Sequence, residues 1–279
     1  MRIPKYWARA ENPNPEGPEA HALIAWGWSD ESHAGAQAHA RQRLAAMEER
    51  LRRGEKLPPK YAYGRNPLRE EIIDEIHDSD NRIAAVITRN SYGALVLNAA
   101  HALFVDVDVP EPTLTDWLAA LVGRRRDRAA ERLAALRDVL RAQMGAGFRI
   151  YRTAGGFRVL ATSPAFTPES SQTEVLLRAA AADPAFVQLC RLQRSFRARL
   201  TPKPWRLGLL PPPTTYPRDD ADAQAAFDEW LADYTRASET RATCHFVESI
   251  GSELVHPSIA PVLRLHDEYT KARSALPLA

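Results

Sequence analysis

Phe104-Val105-Asp106-Val107-Asp108-Val109-Pro110 is an apolar run broken at alternate positions by carboxylates and stopped by a proline. Successive side chains of a strand point to opposite faces, so Asp106 and Asp108 share one face with Cβ atoms roughly 6.5–7 Å apart. Two bare carboxylates buried on a hydrophobic strand are costly, so the pair needs either a cation or water in front of it. Two more strand-like segments come just before, Arg82 to Arg89 and Tyr92 to Leu97, linked by Asn90-Ser91. With Ala102 to Val107 they predict an antiparallel meander, preceded by a helix near 67–77.

Toward the N-terminus, residues 3–9 and 21–28 are aromatic and apolar, with a Pro/Asn/Gly-rich connection between them. They predict two strands, followed by a long helix over 32–54 that stops at Gly54. A small β-β-α subdomain over 1–60 is expected, with the main α+β domain over 61–279. Tyr6, Trp7, Trp26 and Trp28 form either its small core or an exposed contact face.

Toward the C-terminus, Thr113 is placed to cap a helix of about thirty residues to Met144, bent near Gly123. A hairpin follows, Gly147 to Thr153 and Phe157 to Thr162, turning at Ala154-Gly155-Gly156. Helices over 171–181 and 184–194 lead into a basic segment and a triple proline at 211–213. The tail reads as helix 220–238, strand 242–250 and helix 258–272. Helices and strands mix without strict β-α-β alternation, so the expected class is α+β with a mixed or antiparallel sheet core and flanking helices.

Composition narrows the function classes. The chain has 279 residues, 45% hydrophobic and 26% charged, enough for a real core and ordinary for a globular protein. A formal net charge of +2 does not by itself announce a nucleic-acid binder, so local clustering has to carry that argument. Cys190 and Cys244 stand far apart with no Cys-x-x-Cys partner, which excludes a zinc ribbon or a disulfide framework and predicts a reducing, cytoplasmic setting. No leader and no membrane span are expected, because Met1 to Trp7 lacks an apolar run and no stretch of eighteen apolar residues occurs.

The second chemical feature is Arg191 to Arg206, where Arg191, Arg194, Arg197, Arg199, Lys203 and Arg206 occur without a single acid. Guanidinium forks bind phosphate oxygens, and Phe196 and Trp205 offer faces on which bases stack. Pro202 and Pro204 stiffen the segment around Lys203. In the alternative reading the segment is an amphipathic helix whose arginines pair with acids such as Asp183 or Glu174 and whose Trp205 is core. The arginine-rich helix 124–141 carries Asp127, Glu131 and Asp138 and reads as a solvated face. Around Gly155-Gly156 the backbone and Arg158 can approach a phosphate, although no Lys-Ser/Thr follows as in a Walker loop. Cys244, His245, His256 and His266 match no zinc signature, and Ser163, Ser195 or Cys190 lacks an identifiable base.

The order Asp106-x-Asp108 on a strand, a helix, then a hairpin with Thr153-x-Gly155-Gly156-x-Arg158 resembles the first two motifs of the archaeo-eukaryotic primase and primase-polymerase superfamily. The resemblance covers about residues 82–206 and implies a primase-like core containing an RRM-like unit. It also implies that Asp106 and Asp108 are catalytic ligands of Mg²⁺ or Mn²⁺ in a nucleotidyltransferase acting on nucleotides or nucleic acid. Arg158 stands where that superfamily has a nucleotide-contacting histidine, and Arg158, Arg197, Arg199, Lys203, Arg206 and Trp205 become the nucleotide-binding set. The superfamily's third acid has no strand-borne counterpart here, since Asp183, Asp228 and Asp267 read as helical. The alternative expectation is a non-catalytic single-stranded nucleic-acid-binding or replication-accessory protein with a degenerate primase-like core.

Overall fold

A computed structural model of the chain describes residues 1–13, 22–57, 66–110 and 127–279. It is an α+β fold in which all the sheets are antiparallel. Strands β1 (Tyr6–Asn12) and β2 (Leu23–Ser29) pair with each other, and helix α1 (His33–Arg52) packs on both. Ser32 caps α1 by accepting from Gly35 N, and past its end Gly54 adopts φ 72°. These are the two strands and the helix expected near the N-terminus. The expected boundary at residue 60 lies outside the described residues. The unit is tied to the rest of the chain by Arg2 N donating to Gln193 O at 2.8 Å, Lys5 to Glu75 at 3.4 Å, and the Arg69 guanidinium 3.7 Å above the Trp26 ring.

The main body has two four-stranded sheets. One runs β3 (Glu71–His77), β4 (Ile83–Arg89), β5 (Leu95–Ala99), β9 (Phe196–Arg199). The other runs β10 (Cys244–Gly251), β7 (Gly147–Thr153), β8 (Gly156–Ser163), β6 (Phe104–Asp108). Two expectations are corrected here. Residues 71–77 form a strand rather than a helix: register shifts at Ile72/Asp74 and Ile76/His77 break the period-2 pattern, so Ile72, Ile73 and Ile76 carry helix-like spacing on a bulged edge strand. And β6 does not extend the β4–β5 hairpin into a meander. After Ala99 the chain crosses to the second sheet, where β6 pairs with β8 and sets Asp106 directly opposite Arg158, a favourable cross-strand charge pair.

Helices cover these sheets. The described part of the expected 113–144 helix is α2 (Arg128–Arg141), capped by Asp127 and facing the core with Leu136 and Leu140; Thr113 and Gly123 lie outside the described residues. Helices α3 (Ser171–Ala179) and α4 (Pro184–Gln193) precede β9, a 3₁₀ turn spans Pro204–Leu207, and α5 (Ala221–Glu239) follows. Helix α6 (Ala260–Tyr269) touches β3 and β4 of one sheet and β8 of the other, so it bridges the two. One continuous core runs through Leu97, Phe104, Val107, Leu140, Phe148, Val159 and Leu263. Among the described residues no helix is long and apolar enough to cross a membrane.

Candidate functional site

The site grows from the end of β6. Asp106 and Asp108 lie on the exposed face of that strand, while Val105 and Val107 point into the core, as the alternation requires. Arg158, opposite on β8, is the largest fully buried side chain among the described residues. Its Nε and Nη2 donate to the two carboxylate oxygens of Asp106 at 2.6 and 2.9 Å, and its Nη1 donates to the Arg199 carbonyl at 2.7 Å. The guanidinium is 2% exposed and the Asp106 side chain 44% exposed, so the pair has a buried cation beneath a carboxylate that keeps a path to water. Burial opposes ionisation of Asp106, but the charge and hydrogen bonds of Arg158, helped by Arg199 and His266, outweigh it and hold the carboxyl below the usual carboxylate range.

Arg158 also rests on a buried relay from α6. Its Nη1 lies 3.4 Å from His266 Nε2, while His266 Nδ1 lies 3.2 Å from Asp267 Oδ1. Burial depresses the imidazole's pKa against the pull of Asp267. A neutral ring with its proton on Nδ1 satisfies both neighbours, donating to Asp267 and accepting from Arg158. Tyr151 hydroxyl donates to the same Asp267 oxygen at 2.6 Å. No sequence spacing points to this relay, because Arg158 and His266 are 108 positions apart. Cys244 Sγ lies 4.0 Å from His266 Nε2, and burial pushes its thiol up to about 11 and that of Cys190 up to about 12, so neither is a thiolate at neutral pH.

The basic segment divides in two. Arg191 pairs with Glu174 at 2.9 Å, Arg194 with Glu169 at 2.8 Å, and Arg197 with buried Glu70 at 2.7 Å. Arg197 also donates to Asn98 and Gln193, so its fork is committed to holding β9 against β5. Arg199, Lys203 and Arg206 have no ion pair among the described residues, and they gather beside the two aspartates. The chain between them is fixed by Leu200 N donating to Leu95 O at 2.8 Å and by the Tyr234 hydroxyl 2.7 Å from both Thr201 Oγ1 and Pro202 O. Burial lowers the pKa of Arg199, and the charge of Arg158 lowers it further. Lys203 is lowered by burial and then by Arg199 and Arg206, with Asp108 and Asp106 opposing. These cations are crowded, and an incoming anion relieves their repulsion.

The glycine turn closes the rim. A side-chain carbon at Gly155 would stand 3.6 Å from Arg206 Nη2 and 3.7 Å from Asp108 Oδ1, so turn, cation and carboxylate meet there. At Gly156 a Cβ would collide with the Val107 carbonyl, so β8 can approach β6 this closely only as glycine. Trp205 is 48% exposed, not core, and meets the equally exposed Tyr92 edge-to-face with ring centroids 5.3 Å apart. Lys203 Nζ sits 5.2 Å from the Trp205 ring centre. The structure thus brings together Asp106, Asp108, Arg158, Arg199, Lys203, Trp205 and Arg206, and leaves Arg197 in a separate buried pair.

Neither family models, nor curated proteins, nor solved structures gave a match to this chain. The chemistry of the site therefore has to be read from its own groups. Four cations face two carboxylates, one of them already held in both oxygens by Arg158. Among the described residues no group of three or more His, Cys, Asp or Glu side chains is arranged to hold a metal ion. The unpaired donors and the exposed aromatic pair are what the arrangement offers to a ligand.

Proposed function

We propose that this protein binds single-stranded nucleic acid without a metal requirement, through Arg199, Lys203, Arg206 and the Trp205–Tyr92 pair. The observation that carries the reading is the conjunction of three cations lacking ion-pair partners among the described residues with a half-exposed indole beside them. Phosphates take the guanidinium and ammonium donors, and a base stacks on Trp205, a combination that tolerates any sequence because every base has a π-face. The Asp106–Arg158 pair, whose guanidinium alone is buried, serves as the footing of the patch rather than as a ligand. The test is fluorescence anisotropy of a labelled oligothymidylate with EDTA present. Wild type binds, Trp205→Ala weakens binding by about 1–3 kcal/mol, and Arg199→Gln/Lys203→Gln/Arg206→Gln removes most of it. Equal affinity in the triple variant overturns the reading.

A second reading keeps the primase-polymerase resemblance. Its support is that Asp106 and Asp108 share the face that carries these cations, with Asp108 exposed beside the glycine turn. Mg²⁺ is commonly held by one or two carboxylates with water and substrate phosphates completing its shell, so Asp106 and Asp108 can hold Mg²⁺ or Mn²⁺ without a third acid. The ion would supply charge stabilisation to a phosphoryl displacement, and Arg158 would orient Asp106. Thermal shift with Mn²⁺ plus a nucleoside triphosphate separates the readings: stabilisation in wild type that disappears in Asp108→Asn favours the metal, and stabilisation that persists there removes it.

A further inference from the structure

At the other end of the buried relay lies an open recess of about 390 Å³ that the nucleic-acid reading does not use. We propose that it is a second anion site, which binds the phosphate of a phosphorylated small molecule. Its cationic wall is Arg149 from β7, Arg264 from α6 and Arg273 just beyond α6, and its apolar floor includes Val255 and Leu263. The one carboxylate lining the recess, Asp267, is already engaged at both oxygens. Its Oδ1 takes the Tyr151 hydroxyl at 2.6 Å and faces His266 Nδ1 at 3.2 Å, and its Oδ2 takes Arg149 Nη1 at 2.8 Å. Arg273 Nε stands 3.9 Å from Asp267, beyond hydrogen-bonding range, and Arg264 has no ion pair among the described residues.

Three guanidinium groups therefore surround one negative charge, and two remain uncompensated. Two of the three are held in place independently of any ligand, because Arg149 and Arg273 lie over the Phe246 ring with centres 5.6 and 4.8 Å away. Prepositioned forks lose little freedom when they close on an oxyanion. A phosphate monoester carries close to two negative charges at neutral pH and three acceptor oxygens, which matches the two positive charges that the three guanidinium groups hold in excess of Asp267. A carboxylate supplies half that charge. The apolar floor suits the organic part of such a ligand and adds nothing to inorganic phosphate.

Isothermal titration calorimetry with phenyl phosphate, inorganic phosphate and benzoate tests the assignment, because Arg264 and Arg273 are exposed and can be changed without disturbing the core. Phenyl phosphate is expected to bind wild type and Arg199→Gln/Lys203→Gln/Arg206→Gln alike, so a failure of the nucleic-acid reading leaves this result untouched. Arg264→Gln/Arg273→Gln should weaken it by about tenfold or more, and both benzoate and inorganic phosphate should bind less tightly than phenyl phosphate. No binding to wild type, unchanged binding in Arg264→Gln/Arg273→Gln, or loss in the triple variant overturns the second site. Benzoate binding as tightly as phenyl phosphate overturns the phosphate assignment, and inorganic phosphate doing so overturns the organic part.

Discussion

Arg158 grips both oxygens of Asp106 from beneath, at 2.6 and 2.9 Å, and only the carboxylate of the pair reaches water. The two residues are therefore not equivalent under mutation. Asp106→Ala strands a buried guanidinium that keeps Arg199 O and His266 Nε2 as neighbours but no carboxylate among the described residues, and its cost should approach the lower end of the roughly 3–5 kcal/mol seen when a buried pair loses one partner, since Asp106 is partly solvated. Arg158→Met leaves a carboxylate that can hydrate and should cost less. Urea unfolding of both variants checks the order, and a larger loss for Arg158→Met contradicts it. It follows that Asp108, exposed and without a side-chain ion partner among the described residues, is the residue to change when metal dependence is tested.

Arg197 and Arg199 sit two residues apart on the same face of β9 but should fail in opposite ways. Arg197→Met leaves buried Glu70 without its cation and should destabilise the fold by about 3–5 kcal/mol, with oligonucleotide affinity of the folded fraction unchanged. Arg199→Gln removes a cation pressed against Arg158 and should leave stability near wild type while weakening the oligonucleotide. Thermal melts and anisotropy on both variants read out the two effects, and a matching pattern for both residues removes the distinction.

The salt dependence counts the phosphates. Each phosphate neutralised on a single strand contributes about −0.7 to the slope of log affinity against log salt. Removing Arg199, Lys203 and Arg206 together should flatten that slope by about 2. A slope that is steep and equal in both proteins places the binding cations elsewhere.

What the sequence disclosed and what it hid have physical causes. Alternation on β6 put Asp106 and Asp108 on one face, and the acid-free run to Arg206 marked where cations would collect, because both are local patterns. The hidden parts are long-range. Glu70 neutralises Arg197 across 127 positions, and nothing near either residue announces it. Bulges disguised β3 as a helix, and the crossing after Ala99 moved Asp106 onto a different sheet from β5, where its partner is Arg158. Trp205 read equally well as core, and only its neighbour Tyr92 and its exposure show that it faces outward.

Gly27 is a further packing test. Its missing side chain lets β2 lie directly on α1, where fully buried Ala36 and Ala40 form the contact, and a Cβ there would run into Ala36 O and Ala40 N. Gly27→Ala should push α1 off the two strands. Tryptophan fluorescence of the unit, which contains Trp7, Trp26 and Trp28, should shift to the red before global unfolding, and a wild-type spectrum and melt would contradict the close approach.

Acid should loosen the protein in two separate steps, and the relay assigns the first. Burial depresses His266 below its ordinary value, so the folded state binds fewer protons there than the unfolded chain. Its contribution to stability is complete above about pH 6.5 and declines as pH falls from there toward the folded pKa, by at most about 1.4 kcal/mol per pH unit. Asp106 and Asp267 are also held low, so their contributions are lost only below about pH 3.9. Urea unfolding free energies between pH 7.5 and pH 5 should fall with this slope in wild type. They should be flatter in His266→Gln, whose amide can still donate to Asp267 or accept from Arg158 but does not titrate. If instead an NMR titration shows His266 protonating at or above its unperturbed value, the neutral relay between Arg158 and Asp267 is wrong.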